Sequence, residues 1–181
     1  MSVSVTAPLA PPAHALTPAG VRITEFAARP GVRDAMALRQ QCGDAFLLHH
    51  ARPVGSAVPQ RTRDTHAEDT PTSELVFRLY VVQRQSAAAP PRTISLGRVD
   101  GNDIVVRDET ISKQHAVFTE LPGGALVLRD VRSRNGTFVN QKRLGSEACN
   151  VADGSVIRFG SVSMVLLDAR GLSELIARLI R

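Results

Sequence analysis

GRVDGNDIVVRDETISKQHAVFTELPGGALVLRDVRSRNGTFVN, residues 97–140, alternates brief apolar runs with turn residues. Ile94 and Leu96 lead up to Gly97-Arg98, and Ile104 to Val106 is a β-branched run. Ala116 to Phe118 and Leu126 to Leu128 are apolar and are separated by Pro122-Gly123-Gly124. This punctuation predicts short antiparallel strands joined by tight turns. The predicted loops carry Arg98, Asn102, Ser112, Lys113, Arg134, Asn135 and Asn140, a set of cations, amides and one hydroxyl with no carboxylate pair. Such a set suits an anion. A phosphate monoester, with about −1.5 to −2 charges and three acceptor oxygens, matches one guanidinium fork, one ammonium and one hydroxyl.

Working outward, five blocks follow one another: Gly97-Arg98, Asn102 to Val105, Ile111 to Ala116, Ser133 to Asn140, and Asp153 to Gly160. In order and spacing they resemble the signatures of forkhead-associated (FHA) domains, and the resemblance covers roughly Glu74 to Asp168. It implies an all-β fold, an FHA-like sandwich of two mostly antiparallel sheets whose loops at one end recognise phosphothreonine in a partner protein. On that resemblance the phosphopeptide-binding residues are Arg98, Ser112, Lys113, Arg134, Asn135 and Asn140. Gly97, His115, Gly136 and Thr137 support them.

Each of these residues has a plainer reading. Arg98 could be a rim arginine, and Ser112 a loop serine bonding its own backbone. Asn135-Gly136 is a turn pair in its own right. Lys113 keeps the charge but lacks the fork of an arginine, so its hold on phosphate is looser. Ser112 and His115 could form a nucleophile and base, but Ser112 lies on no strand-to-helix elbow and no acid is placed to orient the ring. No catalytic residue is assigned, and the chain is read as a binding module rather than an enzyme. The alternative is a phosphate-independent assembly module built on the same sandwich.

Composition bounds the rest. The 181 residues leave room for one domain with extensions, and 43% of them are hydrophobic, ordinary for a globular chain. The net charge is +5, but it divides as +1, +2 and +2 over residues 1–73, 74–168 and 169–181. Aromatic residues make up only 4% and are not interleaved with cations, so no nucleic-acid partner is expected. Cys42 and Cys149 sit in no metal or redox spacing and read as free, buried thiols. No metal or cofactor is expected. The apolar residues near the N-terminus are broken by Pro8, Pro11 and Pro12 and resemble neither a signal peptide nor a membrane span, which makes the cytoplasm the default location.

Along the chain, residues 1–20 read as a disordered Ala/Pro-rich tail, and residues 21–52 as a small extension outside the sandwich. Within that extension, Val21 to Phe26 is predicted as a strand, Val32 to Cys42 as a helix stopped by Gly43, and Ala45 to Leu48 as a brief apolar run. His49 and His50 are read as solvated loop histidines, since neighbours on an extended chain point apart and no third ligand is near. Residues 53–73 read as a linker containing Thr65 and Thr70 near Glu68 and Asp69. A Ser/Thr kinase acting there would create an intramolecular phosphothreonine ligand, since about ten extended residues reach roughly 30 Å. The sandwich is placed at residues 74–168, beginning with a core strand over Leu75 to Val82. Over residues 169–181 the period changes, and Leu172, Leu175, Ile176, Leu179 and Ile180 share one face of an amphipathic helix expected to dock on the domain.

Overall fold

The computed structural model describes residues 18–51, 76–84 and 92–179. The chain begins with β1 (Val21–Arg22), α1 (Ile23–Ala27), α2 (Ala35–Cys42), β2 (Phe46–Ala51) and β3 (Val76–Val81). Next come β4 (Thr93–Gly97), β5 (Ile104–Val105), β6 (Ala116–Glu120), β7 (Leu126–Asp130), β8 (Thr137–Val139) and β9 (Lys142–Arg143). It closes with β10 (Cys149–Val151), β11 (Val156–Phe159), β12 (Val162–Leu167) and α3 (Ala169–Leu179). One sheet has the order β10-β7-β6-β4-β5 and the other β1-β3-β2-β12-β11-β8-β9. Among the described strands, β4 and β5 alone pair in parallel. The result is the expected two-sheet sandwich.

Two hydrophobic cores hold it, one on each face of the seven-stranded sheet. Between the sheets, Leu96, Phe118, Leu128, Ile157 and Phe159 are fully buried together with Leu47, Tyr80 and Met164. On the opposite face, Phe46, Leu79 and Val81 pack under Ile23, Phe26, Leu38, Leu172 and Ile176 from the three helices. The strand period of two produces this division: Phe46 and Leu47 are chain neighbours, yet they fill different cores.

The second core explains where the N-terminal expectations fail. Val21 to Phe26 is not one strand, because extended structure stops at Arg22. From there Ile23, Phe26 and Ala27, at helical spacing, turn three apolar side chains onto the sheet. α2 starts at Ala35 rather than Val32 because Asp34 caps it, accepting from the Ala37 amide at 2.8 Å. Gly43, at φ +87°, ends it as expected. His49 and His50 are strand residues, not loop residues. His49 Nδ1 meets the Ser163 carbonyl at 3.0 Å, and the His50 ring lies 5.3 Å from that of Phe77.

β2 pairs with β3 on one side and β12 on the other. Residues 21–51 are therefore part of the sandwich, and the sheet is not contained within residues 74–168. α3 docks as expected, with Leu172 and Ile176 fully buried and Leu179 52% exposed. Cys42 is buried but Cys149 is only half-buried, which corrects the expectation of two buried thiols. Most of the expected N-terminal tail, the 53–73 linker with Thr65 and Thr70, and Ile180 lie outside the described residues. Among the described residues, no helix is long and apolar enough to cross a membrane.

Candidate functional site

The site is assembled on the loops that leave β4, enter β6 and enter β8. Gly97 ends β4 where a Cβ would stand 2.0 Å from the Lys113 carbonyl oxygen, so only glycine lets the two segments approach. At that crossing the Arg98 amide donates to the Ser112 carbonyl at 3.0 Å. Asn102 lies beneath it, donating from Nδ2 to the Val99 carbonyl at 2.8 Å and the Lys113 carbonyl at 2.9 Å. The side chains of Arg98 and Lys113 are exposed. Neither forms an ion pair among the described residues, whereas the neighbouring Arg107 is bound to Asp100 at 2.8 Å.

His115, fully buried, joins this loop to the one before β8. Its Nδ1 accepts from the Ser112 amide at 3.0 Å, which places the proton on Nε2, and that atom donates to the Gly136 carbonyl at 3.2 Å. Phe159 stands edge-on to the ring at 5.8 Å. Burial lowers the pKa of His115 below the usual imidazole value, against opposing contributions from the Gly136 carbonyl and the Asp130 charge. Both ring nitrogens are engaged by backbone, and neither faces the Ser112 hydroxyl. The pair is a brace, not a nucleophile and its base.

The loop before β8 is shaped by Asp130. Its carboxylate accepts from the Ser133 amide at 2.8 Å, the Ser133 hydroxyl at 2.6 Å and the Thr137 hydroxyl at 2.6 Å. Burial alone would raise this carboxyl, but the hydrogen bonds from Ser133 and Thr137 outweigh it and hold its pKa below the ordinary value. The Ser133 hydroxyl oxygen in turn accepts from the Gly136 amide at 2.9 Å, and Gly136 adopts φ +80°. This closed turn presents Arg134 and Asn135 toward the other loop. The Arg134 amide donates to Ser112 Oγ at 3.0 Å, and Asn135 Nδ2 donates to the Thr110 carbonyl at 2.7 Å.

Of the sequence-predicted residues, the structure brings together Arg98, Ser112, Lys113, Arg134 and Asn135. Each is one hydrogen bond or one peptide bond from Ser112, or directly follows a residue that is. Asn140 does not join them. It lies beyond the far end of β8, about 10 Å of strand from Thr137, and its Oδ1 accepts from the Val156 amide at 2.9 Å. Among the supporting residues, Gly97 forms the crossing, His115 and Gly136 bridge the loops, and Thr137 is buried against Asp130. Asp130 and Thr110 were missed by sequence reading. The Asp130-x-x-Ser133 spacing, which suits a side chain capping its own turn, was the signal for the first. Thr110 gave none, because it acts through its backbone carbonyl.

Three residues with exposed cationic side chains thus adjoin Ser112 through their backbones. Ser112 Oγ already accepts a hydrogen bond, so its own proton is available to donate outward. The arrangement is suited to an anion bearing several oxygens.

Residues 94–160 match the model of the FHA domain family. The chain is 39% identical over 117 residues to the ABC transporter ATP-binding/permease protein Rv1747 of Mycobacterium tuberculosis, covering 64% of this chain and 13% of that protein. It is also 39% identical over 75 residues to the glycogen accumulation regulator GarA of Mycolicibacterium smegmatis, covering 41% of this chain and 46% of that one. The chain therefore spans less than half the length of either relative. Among solved structures, an FHA domain of Arabidopsis thaliana is 25% identical and covers 69% of this chain and 86% of its own, with a TM-score of 0.44.

Proposed function

We propose that this chain is a phosphothreonine-dependent protein-binding module, acting as an adaptor or regulator downstream of a Ser/Thr kinase and not as a catalyst. The observation that carries the reading is the convergence on Ser112. Its carbonyl receives the Arg98 amide, its hydroxyl oxygen receives the Arg134 amide, and Lys113 follows it in the chain. In this reading Arg98 and Lys113 hold the phosphate, Ser112 donates to one phosphate oxygen, and Asn135 exchanges its Thr110 partner for, or adds, the ligand backbone. A phosphothreonine in residues 53–73, at Thr65 or Thr70, would be an intramolecular ligand of the same site. Phosphorylation there is expected to weaken binding of added peptide.

The test is binding to a degenerate phosphothreonine peptide library, with unphosphorylated and phosphoserine libraries as controls. Hydrogen bonds to charged groups contribute about 1.5–3 kcal/mol, so Arg98→Ala is expected to weaken phosphopeptide binding roughly 10- to 100-fold. A wild-type protein indifferent to phosphate would sink the reading.

A further inference from the structure

Asn102 is 6% exposed, and both hydrogen bonds of its Nδ2 go to backbone carbonyls, those of Val99 and Lys113. The orientation of the amide is dictated by these partners, since the reversed group would set its oxygen against two carbonyl oxygens. In the required orientation Oδ1 is buried and receives no hydrogen bond from the described residues. An orphaned buried acceptor is destabilising, so this side chain is a poor choice for stability alone. What it does achieve is geometric. Val99 follows Arg98, and Lys113 follows Ser112, so one amide group grips both strands of the anion-facing crossing. Gly97 provides the room, because a Cβ there would lie 2.7 Å from Nδ2 as well as 2.0 Å from the Lys113 oxygen.

We propose that Asn102 is a positioning residue of the phosphate site, acting through Arg98 and Lys113 without touching the ligand. The inference rests on the phosphothreonine reading and deepens it. The Arg98 amide bond to Ser112 sets one distance between the segments. Asn102 sets a second, one residue further along each segment, and two fixed points are needed to stop the segments rotating about one another. With both in place, the cationic side chains start from backbone that does not have to reorganise when the anion arrives.

The experiment compares the full chain with Asn102→Ala, Lys113→Ala and the double variant, using one phosphothreonine peptide and its unphosphorylated counterpart. Thermal unfolding of each variant is recorded alongside. In the wild-type background Asn102→Ala is expected to weaken phosphopeptide binding at least tenfold while a cooperative unfolding transition remains. In the Lys113→Ala background the same change is expected to weaken it by a clearly smaller factor, because one of the two groups being positioned is gone. Equal losses in both backgrounds, or no loss in a folded Asn102→Ala protein, overturn the inference. Should Asn102→Ala not fold, the wild-type side-chain amide NMR signals of Asn102 decide. Phosphorylated peptide is expected to shift them and unphosphorylated peptide to leave them in place, and absence of any shift overturns the proposal. A wild-type chain that does not distinguish the two peptides overturns the phosphothreonine reading itself and the inference with it. Discrimination that survives intact in Asn102→Ala removes only the role of Asn102.

Discussion

Two residues show how local backbone and charge state limit this domain. The β8–β9 hairpin turns through Asn140 and Gln141, at φ +48° and +71°. Such a turn needs positive φ at both central positions, where asparagine is tolerated and glycine is at ease, but a longer side chain is strained. Gln141→Gly is therefore expected to stabilise the protein by about 1 kcal/mol, read as a higher urea midpoint with an unchanged slope. Phosphopeptide affinity should stay put, since this turn lies at the end of β8 away from Gly136. His115 sets the pH response. Buried and neutral, it has a folded pKa below its unfolded value of about 6.5. Its contribution is thus complete above that value and is lost as pH falls through the lowered folded pKa, because the unfolded chain binds the extra proton first. Protonation also sets an Nδ1–H against the Ser112 amide. Denaturant titrations of the peptide-free protein between pH 7 and pH 5 are expected to show falling stability, and His115→Gln should flatten that slope. Omitting the peptide matters, because the phosphate itself titrates near pH 6.

Elements differ in how openly the sequence announces them. α3 was legible because Leu172 and Ile176 recur at helical spacing against charged neighbours, and the structure buries both completely. Leu172→Ala should lose about 2–5 kcal/mol of stability, measured by denaturant unfolding, with little change in phosphopeptide affinity of the folded protein. α1 was not legible. Five residues are too few for a period to stand out, and Ile23 with Phe26 fits a strand equally well until the sheet beneath them is known. β2 misled for a related reason. Its His49 and His50 look like loop residues, but near the end of the strand they are half-buried and exposed, where polar side chains are acceptable. The anion-facing loops were the opposite case. Arg98, Ser112, Lys113, Arg134 and Asn135 could be picked out because turn residues and cations are local signals, whereas the bond from Asn102 to the Lys113 carbonyl joins two separate loops and follows no sequence period.

For the whole molecule, the decisive fact is that β2 sits between β3 and β12. A chain truncated to begin at Glu74, where sequence alone would start the domain, loses β1, β2, α1 and α2 together. It leaves β12 without β2 on one side, and Leu79, Val81, Leu172 and Ile176 without the N-terminal part of their core. Such a fragment is expected to be unfolded or aggregated, as checked by amide NMR dispersion and size-exclusion chromatography, while a chain beginning at Pro18 should fold. The sequence by itself determined the sandwich class, the order of the turns and the anion-seeking character of residues 97–136, because strand period, turn chemistry and charge are properties of neighbouring residues. Only the tertiary structure decided that residues 21–51 complete the sheet, that Asn140 stands apart from the site, and that Asp130 and Asn102 fix its loops. Those outcomes depend on which distant segments share a surface, and burial and hydrogen bonding across the chain leave no mark on local spacing.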